Sequence, residues 1–310
     1  MSLCVIITPV RNEGQHFEQT INSVVSQTLR PLAWIIVNDG SSDGTPQLID
    51  AAAKQNPWIR AVHRADRGFR KQGGGVVEAF YDGLKLVQGL NWDFIAKLDG
   101  DLSFSDRYFE SCISKFSADP QLGIGGGRIY CRINGVALED SPGDPSFHVR
   151  GATKIYRRST WEAIGGLLQA PGWDTLDEVK ANMLGWKTYS FRDLQVLQLK
   201  ATGSGDGLWK NWVKNGRANY ITGYHPAFML LKCAKRVFAP PYGLAALGLL
   251  TGFWSSYLKQ IPQVQDPALI RYLRRQQVNR LLGKQSLWSQ SPIMPVVPAS
   301  QASPVGATNG

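Results

Sequence analysis

The stretch Trp92-Asp93-Phe94-Ile95-Ala96-Lys97-Leu98-Asp99-Gly100-Asp101 decides how this chain is interpreted, because a short apolar run ends in two carboxylates. Phe94-Ile95-Ala96 predicts a buried strand, and Asp99 and Asp101 follow at its C-terminal end. Open α/β sheets bind their ligands at that edge. Two carboxylates there can hold a divalent cation, which in turn can hold a diphosphate. A solvated acidic turn is the alternative interpretation, and the rest of the N-terminal half favours the metal site.

The N-terminal third alternates between strand and helix patterns. Continuous apolar runs such as Trp34-Ile35-Ile36-Val37 are typical of parallel strands buried on both faces. Helical spacing of apolar residues follows the first strand, at Phe17, Ile21 and Val24. The alternation predicts an α/β fold with a mainly parallel sheet, right-handed crossovers and flanking helices. The predicted strands are 4–8, 34–37, 59–62 and 93–97, and the predicted helices are 17–26, 45–53 and 76–87.

Residues 123 to 192 show a mixed pattern. The run 128–133 alternates between polar and apolar residues, as an antiparallel strand does. Helical spacing over Thr175 to Leu184 ends at Gly185, and residues 188–191 predict a further strand. This part of the chain is therefore expected to add strands and one helix to the parallel sheet.

Composition limits the class of protein. An apolar fraction of 43% in 310 residues is that of a folded protein with a sizeable core. The four cysteines, Cys4, Cys112, Cys131 and Cys233, lie far apart, which argues against a zinc site or a disulfide scaffold and fits a reducing compartment. Residues 1–3 lead directly into a predicted strand, so a secretory signal peptide is not expected.

The net charge of +10 is unevenly distributed. From Lys259 onward the chain has six Lys or Arg residues and a single acid, Asp266. Such a basic end predicts an anionic partner, either nucleic acid or the cytoplasmic surface of a membrane.

The segment from Val237 to Tyr257 contains no charged residue, and basic residues flank it on both sides. A helix from Tyr242 to Leu258 would be about 25 Å long at about 1.5 Å per residue. That length is short for a hydrocarbon core of about 30 Å. The segment is therefore expected to re-enter the membrane or to lie at its interface. A membrane span and a buried core helix are the alternatives.

Asp266-Pro267 predicts the start of a further helix, with Asp at the cap and Pro at the first helical position. This helix combines an apolar face with four arginines, a combination that is typical of helices on membrane surfaces. A solvated helix that packs on its own domain is the alternative. From Gln285 onward the chain is rich in Ser, Pro, Gln and Ala without periodicity, so it is expected to be disordered.

Two other predicted strands end in polar turns. The first ends in Ile6-Ile7-Thr8-Pro9-Val10-Arg11-Asn12-Glu13, and the second in Ile36-Val37-Asn38-Asp39-Gly40-Ser41-Ser42-Asp43-Gly44-Thr45. A carboxylate such as Asp39 at a strand end can accept a hydrogen bond from a nucleotide base. The second turn also predicts a helix start, with Asp43 or Thr45 as the cap. The two roles are compatible.

These two turns and Leu98-Asp99-Gly100-Asp101, in this order and spacing, resemble the motifs of family 2 glycosyltransferases with the GT-A fold. The resemblance covers about residues 3–225. It implies an inverting transfer of a sugar from a nucleoside diphosphate donor, most often a UDP-sugar, with Mg²⁺ or Mn²⁺ as the cofactor. The implied organisation is a GT-A domain (1–225), an apolar membrane-associating segment (226–260), the basic amphipathic helix (261–284) and a disordered tail (285–310). The protein is then expected at the cytoplasmic face of the membrane, as a peripheral or monotopic protein.

The resemblance also implies roles for individual residues around the donor. Asp101 is the expected metal ligand, and Asp99 lies near the ribose and the metal. The basic, Gly-rich stretch 67–75 is expected to reach the diphosphate through Lys71 or Arg70, although a mobile basic loop is the alternative. The remaining donor-binding residues implied are Thr8, Pro9 and Glu13 at the nucleotide, Asp39 at the base and Arg217 at the diphosphate.

An acceptor hydroxyl must lose a proton as it attacks, so a carboxylate base is needed near it. The family takes this base from a Glu-Asp pair about a dozen residues before a Gly-aromatic pair. Here Trp173-Asp174 stands at that distance from Gly185-Trp186, which makes Asp174 the expected base and replaces the Glu by Trp. Asp177 is the second candidate. Thr175-Leu176-Asp177-Glu178 also matches a capping box, which gives Glu178 a structural role at a helix start.

His148 and Arg150 lie where the family builds its acceptor pocket, although a lone His is more often structural. The expected acceptor is a lipid-linked or polysaccharide hydroxyl in cell-surface polysaccharide or glycolipid synthesis. The Gln-x-x-Arg-Trp motif of processive synthases is missing, which favours a single transfer per acceptor.

Two other functions compete with this interpretation. A sugar nucleotidyltransferase would show a Gly-rich N-terminal loop with a basic signature, which residues 7–14 lack. A nucleic-acid-binding protein would interleave basic residues with exposed aromatic residues on a recognisable module. Here the basic residues flank an apolar segment instead, so nucleic acid is not expected as a partner.

Overall fold

The computed structural model describes residues 2–68, 74–200, 207–238 and 241–289. Within these ranges the chain forms nine strands and ten helices, followed by a 3-10 turn at Leu287–Ser289. The strands are β1 (Cys4–Val10), β2 (Ala33–Asn38), β3 (Ile59–His63), β4 (Phe94–Leu98), β5 (Leu102–Phe104), β6 (Leu122–Ile133), β7 (Val136–Glu139), β8 (Thr153–Arg157) and β9 (Lys187–Gln198). The helices are α1 (Phe17–Val25), α2 (Thr45–Gln55), α3 (Gly75–Leu84), α4 (Tyr108–Ala118), α5 (Arg158–Ile164), α6 (Trp173–Met183), α7 (Leu208–Ile221), α8 (Pro226–Val237), α9 (Leu244–Leu258) and α10 (Pro267–Leu281).

The strands form one sheet in the order β3-β2-β1-β4-β8-β6-β9-β5, with β7 paired to β6. The pairings among β1, β2, β3 and β4 are parallel, as the alternation of strands and helices predicts. Beyond β4 the sheet is mixed, because β8 runs antiparallel to both β4 and β6. The expectation of a mainly parallel sheet is therefore wrong for its second half. The regular strand-helix-strand crossovers stop at β4, and β8 enters the sheet from the opposite end.

Helices cover both faces of the parallel strands, so successive residues of one strand enter different cores. Ile6 of β1 packs in the core formed with α1, α2 and α4. Its neighbours Val5 and Ile7 pack in the core formed with α3, α5 and α6. Burial on both faces explains why these strands are continuous apolar runs.

The glycines of Gly123-Ile124-Gly125-Gly126-Gly127 let β6 approach its neighbours closely. A Cβ atom on Gly126 would lie 2.0 Å from the carbonyl oxygen of Thr153, and one on Gly127 would lie 2.5 Å from that of Leu194. The predicted antiparallel strand over 128–133 is confirmed by its pairing with β7. The same strand also pairs parallel with β9.

The apolar segment forms α9, which packs one face against α7. The buried face consists of small and apolar residues, among them Ala245, Gly248, Leu249 and Phe253. The contact is close because Gly252 lies against the backbone of α7, where a Cβ atom would be 1.9 Å from the carbonyl oxygen of Val213. Among the described residues, no helix combines the length and the apolar character that a membrane crossing requires.

The predicted helix after Asp266 is confirmed as α10, and the Asp266 carboxylate accepts a capping hydrogen bond from the Leu269 amide at 3.0 Å. Its apolar residues Leu269 and Leu273 are buried in a cluster with α6 rather than facing outward. The alternative of a helix that packs on its own domain is therefore the one the fold adopts. Within the tail predicted to be disordered, residues 285–289 are ordered, since Trp288 contacts Phe147 with ring centroids 5.3 Å apart. Residues 290–310 of that tail lie outside the described residues.

We predict that Gly252→Ala destabilises the protein by roughly 1–3 kcal/mol, because the added methyl group overpacks the α7–α9 contact. Helix propensity alone would favour Ala by about 1 kcal/mol, so a net loss identifies the steric contact as the cause. Urea unfolding measures the difference. The neighbouring exposed Thr251→Ala serves as the control, with a change within about 0.5 kcal/mol. A Gly252→Ala variant as stable as the parent would contradict the close contact.

Candidate active site

The turns after β1 and β2 are joined by hydrogen bonds at the C-terminal edge of the parallel strands. The Asn12 amide donates to the Ser41 hydroxyl at 3.0 Å, and the Asn12 side-chain oxygen accepts from the Ser42 amide at 2.8 Å. The Glu13 amide donates to the Thr45 hydroxyl at 2.9 Å. Asn12 adopts a positive φ of 56°, which lets the chain turn back toward the second loop. The two motifs therefore form one surface.

Thr8 and Pro9 lie within β1 and are buried. The Thr8 hydroxyl accepts a hydrogen bond from Nε1 of Trp34 at 2.8 Å, inside the core. The Thr8 hydroxyl is thus engaged in the core, and the expected position of Thr8 and Pro9 at the nucleotide stays a prediction.

Asp39 follows β2, and three arginine side chains surround it. Its carboxylate forms ion pairs with both Arg64 and Arg67. Its carbonyl oxygen accepts from Nη1 of Arg11 at 2.7 Å. Arg64 also reaches Asp82 on α3 at 3.0 Å. Two guanidinium groups thus hold the carboxylate that was expected to contact the base.

Asp99 and Asp101 follow β4 at the same edge. Asp101 is buried, and its Oδ2 accepts from the Gln198 side-chain amide at 3.2 Å. Burial, together with the nearby charges of Asp99 and Glu13, raises the pKa of Asp101 to about 6. The structure therefore brings three predicted carboxylates within electrostatic reach of one another.

Beside this group lies a cleft of about 430 Å³ between the β1 and β2 turns and the end of β9. Glu13, Asp43 and Lys200 contribute charged groups to its lining. The Lys200 ammonium lies 3.2 Å from the Glu13 carboxylate. Lys200 was not singled out in the sequence because it precedes no recognisable turn.

Lys97, on β4, is the residue that connects Asp99 to the rest of the molecule. Its ammonium group pairs with the Asp99 carboxylate and donates to the Gly151 carbonyl oxygen at 2.7 Å. It also lies 5.6 Å from the centroid of the Trp173 ring. The side chain is only 3% exposed. A lysine in a strand is usually interpreted as facing solvent, so Lys97 was not identified as a site residue from the sequence.

Asp174 lies in the first turn of α6, one residue later than its start at Trp173. Its side chain is partly exposed. Gly151 lies directly against it, since a Cβ atom on Gly151 would be 3.2 Å from the Cβ of Asp174. Lys97 and Gly151 therefore link the Asp99 carboxylate to the start of α6, where the predicted base stands.

Asp177 and Glu178 are buried within the same helix. The Lys154 ammonium lies 2.8 Å from Asp177 and 2.7 Å from Glu178, and Tyr156 donates to Asp177. Burial and the neighbouring Glu178 charge raise the pKa of Asp177 to about 6, although Lys154 opposes this. The predicted capping box is wrong, because the helix starts at Trp173 and Glu178 points into the interior. Asp174 is left as the carboxylate of this group that reaches the surface.

His148 and Arg150 were expected at the acceptor, and both are engaged in holding the 140–150 loop. His148 Nδ1 lies 2.9 Å from the Glu178 carboxylate. Arg150 pairs with Asp140 at 3.0 Å and donates to the Ser141 hydroxyl at 2.8 Å. The structural alternative therefore accounts for both side chains.

Two contacts to the diphosphate were expected, one from Lys71 or Arg70 and one from Arg217, and the structure tests neither. Lys71 and Arg70 fall outside the described residues. Arg217 is exposed on α7, next to Ala218, whose carbonyl oxygen and methyl group lie near Gly172 at the start of α6. Its predicted role at the diphosphate stays a prediction.

The residues present fit a divalent cation that also binds the donor. Asp101 and Asp99 place two carboxylates at a partly buried edge, where burial together with the charges of Asp99 and Glu13 raises the pKa of Asp101. Over the described part of the chain, no group of three or more His, Cys, Asp or Glu side chains forms a ready metal site. A cation here would take its remaining ligands from phosphate oxygens and water, as Mg²⁺ commonly does.

Comparison with known sequences identifies the family. The family described as Glycosyl transferase family 2 matches residues 5–164, which is more than half of the chain. The chain belongs to this family. The resemblance inferred from the three motifs is therefore confirmed, and the chain carries a glycosyltransferase domain.

The relatives described next each match less than half of this chain. The glycosyltransferase EpsJ of Bacillus subtilis is 31% identical over 128 residues, which cover 41% of this chain and 34% of EpsJ. A poly-beta-1,6-N-acetyl-D-glucosamine synthase of Staphylococcus aureus is 30% identical over 112 residues, which cover 36% of this chain and 25% of the synthase. The chain thus spans about a third or less of the length of these relatives.

Solved structures share the fold over most of the chain. GalNAc-T7 with UDP, GalNAc and Mn²⁺ gives a TM-score of 0.60 at 13% identity, covering 91% of this chain and 58% of that one. The mannosyltransferase PcManGT from Pyrobaculum calidifontis, in complex with GDP-Man and Mn²⁺, gives 0.51 at 16% identity, covering 91% and 76%. At these identities the likeness establishes a GT-A-type α/β fold with a mixed sheet.

The His148–Glu178 pair makes the stability of this domain depend on pH. Burial alone would lower the pKa of His148, but the charge of Glu178 and its hydrogen bond raise it above its ordinary value of 6.5. A raised pKa means that the pair contributes its full stability below pH 6.5 and loses it as the pH rises through the folded-state pKa. We predict that His148→Gln lowers the free energy of unfolding by roughly 1–3 kcal/mol at low pH.

The difference between His148→Gln and the parent protein should shrink as the pH rises, which urea unfolding across the range measures. His16→Gln is the matched control, because His16 makes no capping bond to α1. A difference in unfolding free energy that grows as the pH rises would contradict the raised pKa of His148.

Proposed function

We propose that this enzyme transfers a sugar, with inversion at the anomeric carbon, from a nucleoside diphosphate donor to a hydroxyl acceptor. The observation that carries the proposal is the link from Asp99 through Lys97 to Gly151, which lies against Asp174. It supports a single cleft in which one end binds the donor and the other holds a partly exposed carboxylate for the acceptor. Membership of the family supports the reaction class.

The donor end takes the nucleotide at the β1 and β2 turns. Asp39 is proposed to contact the base, with Arg64 and Arg67 fixing its carboxylate. A uridine base is favoured by the family resemblance. Among the structural neighbours, GalNAc-T7 was solved with UDP and PcManGT with GDP-Man, so both kinds of nucleotide occur on this fold. Asp101 and Asp99 would hold a Mg²⁺ or Mn²⁺ ion, which supplies positive charge against the charge that develops on the leaving diphosphate.

The acceptor end performs the proton transfer. The acceptor hydroxyl attacks the anomeric carbon from the face opposite the diphosphate, and its proton passes to the Asp174 carboxylate. Asp174 suits this role because it lies in the first turn of α6, is partly exposed and is in contact with Gly151. Asp177, one helical turn away, is committed to Lys154 and Tyr156.

The proposed acceptor is a saccharide hydroxyl in the synthesis of a cell-surface polysaccharide or of a lipid-linked saccharide. The similarity to a poly-beta-1,6-N-acetyl-D-glucosamine synthase supports a polysaccharide context. The family assignment disfavours the two competing interpretations, a sugar nucleotidyltransferase and a nucleic-acid-binding protein.

Asp101→Asn is expected to weaken Mn²⁺-dependent binding of UDP by about tenfold or more, or about 1.4 kcal/mol. The amide keeps the shape of the carboxylate but removes the charge that would hold the cation. Titration calorimetry with and without Mn²⁺ measures the effect. Asp106→Asn, at an exposed position after β5, is the control. Unchanged affinity in Asp101→Asn would remove Asp101 from the metal site.

Asp174→Asn is expected to lower the transfer rate by about 10²–10⁴-fold, the range for loss of a general base. Donor affinity should stay nearly intact, because the base acts on the acceptor. Initial rates and UDP titration on the same preparation separate the two effects.

Asp177→Asn is the comparison, and it should lower the free energy of unfolding rather than act selectively on the rate. If Asp177→Asn loses transfer at intact stability while Asp174→Asn does not, the base lies one helical turn further along α6.

A further inference from the structure

Two aromatic side chains on either side of the connection between α8 and α9 are largely exposed to solvent. Phe238 is 83% exposed and Tyr242 is 73% exposed, which is unusual for aromatic side chains in a folded protein. The Gly243 amide donates to the Val237 carbonyl oxygen at 3.3 Å, so the end of α8 and the start of α9 lie together. Two large aromatic side chains therefore project from one point of the fold.

Exposed apolar residues continue from this point along both helices. On α9, Leu244, Leu247 and Leu258 are exposed at helical spacing, on the side away from the contact with α7. On α8, Leu230 and Leu231 are exposed, while Met229 and Cys233 face the interior. We call Leu230, Leu231, Phe238, Tyr242, Leu244 and Leu247 the hairpin surface. Contiguous exposed apolar surfaces of this kind mark contacts with proteins or membranes.

The charged residues around the hairpin surface indicate whether its partner is a protein or a membrane. Residues 207–265 contain seven Lys or Arg residues and no Asp or Glu. Lys235 is exposed beside Phe238, whereas the Arg236 guanidinium folds back to 5.1 Å from the Trp212 ring. Apolar and aromatic side chains in a basic, acid-free segment complement an anionic lipid surface, to which each nearby Lys or Arg adds attraction.

We propose that the hairpin surface docks onto an anionic lipid bilayer, with Phe238 and Tyr242 inserted at the interface and Lys235 among the headgroups. The chain lies on the membrane and does not cross it. This narrows the sequence-based expectation of an interfacial segment to the hairpin surface, because the buried face of α9 packs against α7 and Leu269 and Leu273 of α10 are buried in a cluster with α6. The proposal is independent of the donor and of the identity of the base.

The test is flotation of the full chain with vesicles of phosphatidylcholine alone and with an equimolar mixture of phosphatidylcholine and phosphatidylglycerol. The protein is expected to float with the mixed vesicles and to bind the neutral vesicles much less. Binding to the mixed vesicles should persist in part at high salt, because the apolar contacts are not screened. Protein that does not float with mixed vesicles at low salt overturns the proposal.

The decisive variant is the double substitution Phe238→Ser and Tyr242→Ser. Both side chains are exposed, so thermal unfolding should be unchanged, while binding to mixed vesicles should fall about tenfold or more. The matched control is Ile133→Ser with Val136→Ser, which removes similarly exposed apolar groups from the β6–β7 hairpin. Equal binding by the parent and the Phe238/Tyr242 variant overturns the proposal, as does an equal loss in the control.

Two further outcomes also count against it. Vesicle binding that salt abolishes completely and that the Phe238/Tyr242 variant retains would show attachment by charge alone. If the parent is a dimer that does not bind vesicles and the Phe238/Tyr242 variant is a monomer, the surface would be a contact with a second copy of the chain. Hydrolysis of UDP-sugars, measured without vesicles, should be unchanged in the variant, so a failure of the proposed enzymatic function is detected separately.

Discussion

Two buried lysines, side by side in the sheet, are the constraint on which the site depends. Lys97 of β4 and Lys154 of β8 are directly opposed in the antiparallel pairing. Like charges in such a pair are destabilising unless each has its own counterion. Lys97 is satisfied by Asp99 and Lys154 by Asp177 and Glu178. Removing one partner from a buried pair costs about 3–5 kcal/mol, so this arrangement is held tightly.

Both ammonium groups lie against the same aromatic ring. Lys97 is 5.6 Å and Lys154 is 5.7 Å from the centroid of Trp173. This explains the departure from the family's Glu-Asp pair, because the residue in the Glu position here offers a π face to two cations. Asp174 follows Trp173 directly, so the same contact sets the position of the proposed base relative to the donor edge. The three carboxylates of α6 therefore have different surroundings: Asp177 and Glu178 neutralise Lys154, and Asp174 is partly exposed.

The sequence predicted the parallel half of the fold and the edge at which the site lies. Apolar runs and strand-end motifs located β1, β2 and β4. The family resemblance pointed to Asp174, whose role as the base stays a prediction. The antiparallel half was not predictable from local pattern, because the direction of β8 depends on where the 140–152 loop enters the sheet. The burial of Thr8, Asp177 and Glu178 was missed for a related reason. Their partners, such as Trp34 for Thr8, are distant in sequence. The family resemblance implied a nucleotide contact for Thr8, and the local pattern suggested a helix cap for Glu178.

The C-terminal region shows the same limit. An uncharged run of residues predicts apolar surroundings but does not say whether protein or lipid supplies them. Gly248 and Gly252 of α9 lie against α7, while Phe238, Tyr242, Leu244 and Leu247 are exposed. The site and this surface are thus parts of one folded unit, since α6 contacts both the sheet and α10.

In this enzyme the carboxylates after β4 are proposed to bind the metal and the donor, next to the acceptor end at the start of α6. Paramagnetic broadening by Mn²⁺ measures where the metal binds, with isotope-labelled protein, UDP present and Mg²⁺ as the diamagnetic reference. We predict the strongest broadening at the amides of Gly100, Asp101 and Leu199, followed by Gly151. Strongest broadening instead at Asp140 and Asp144, the acidic loop held by Arg150, would contradict it.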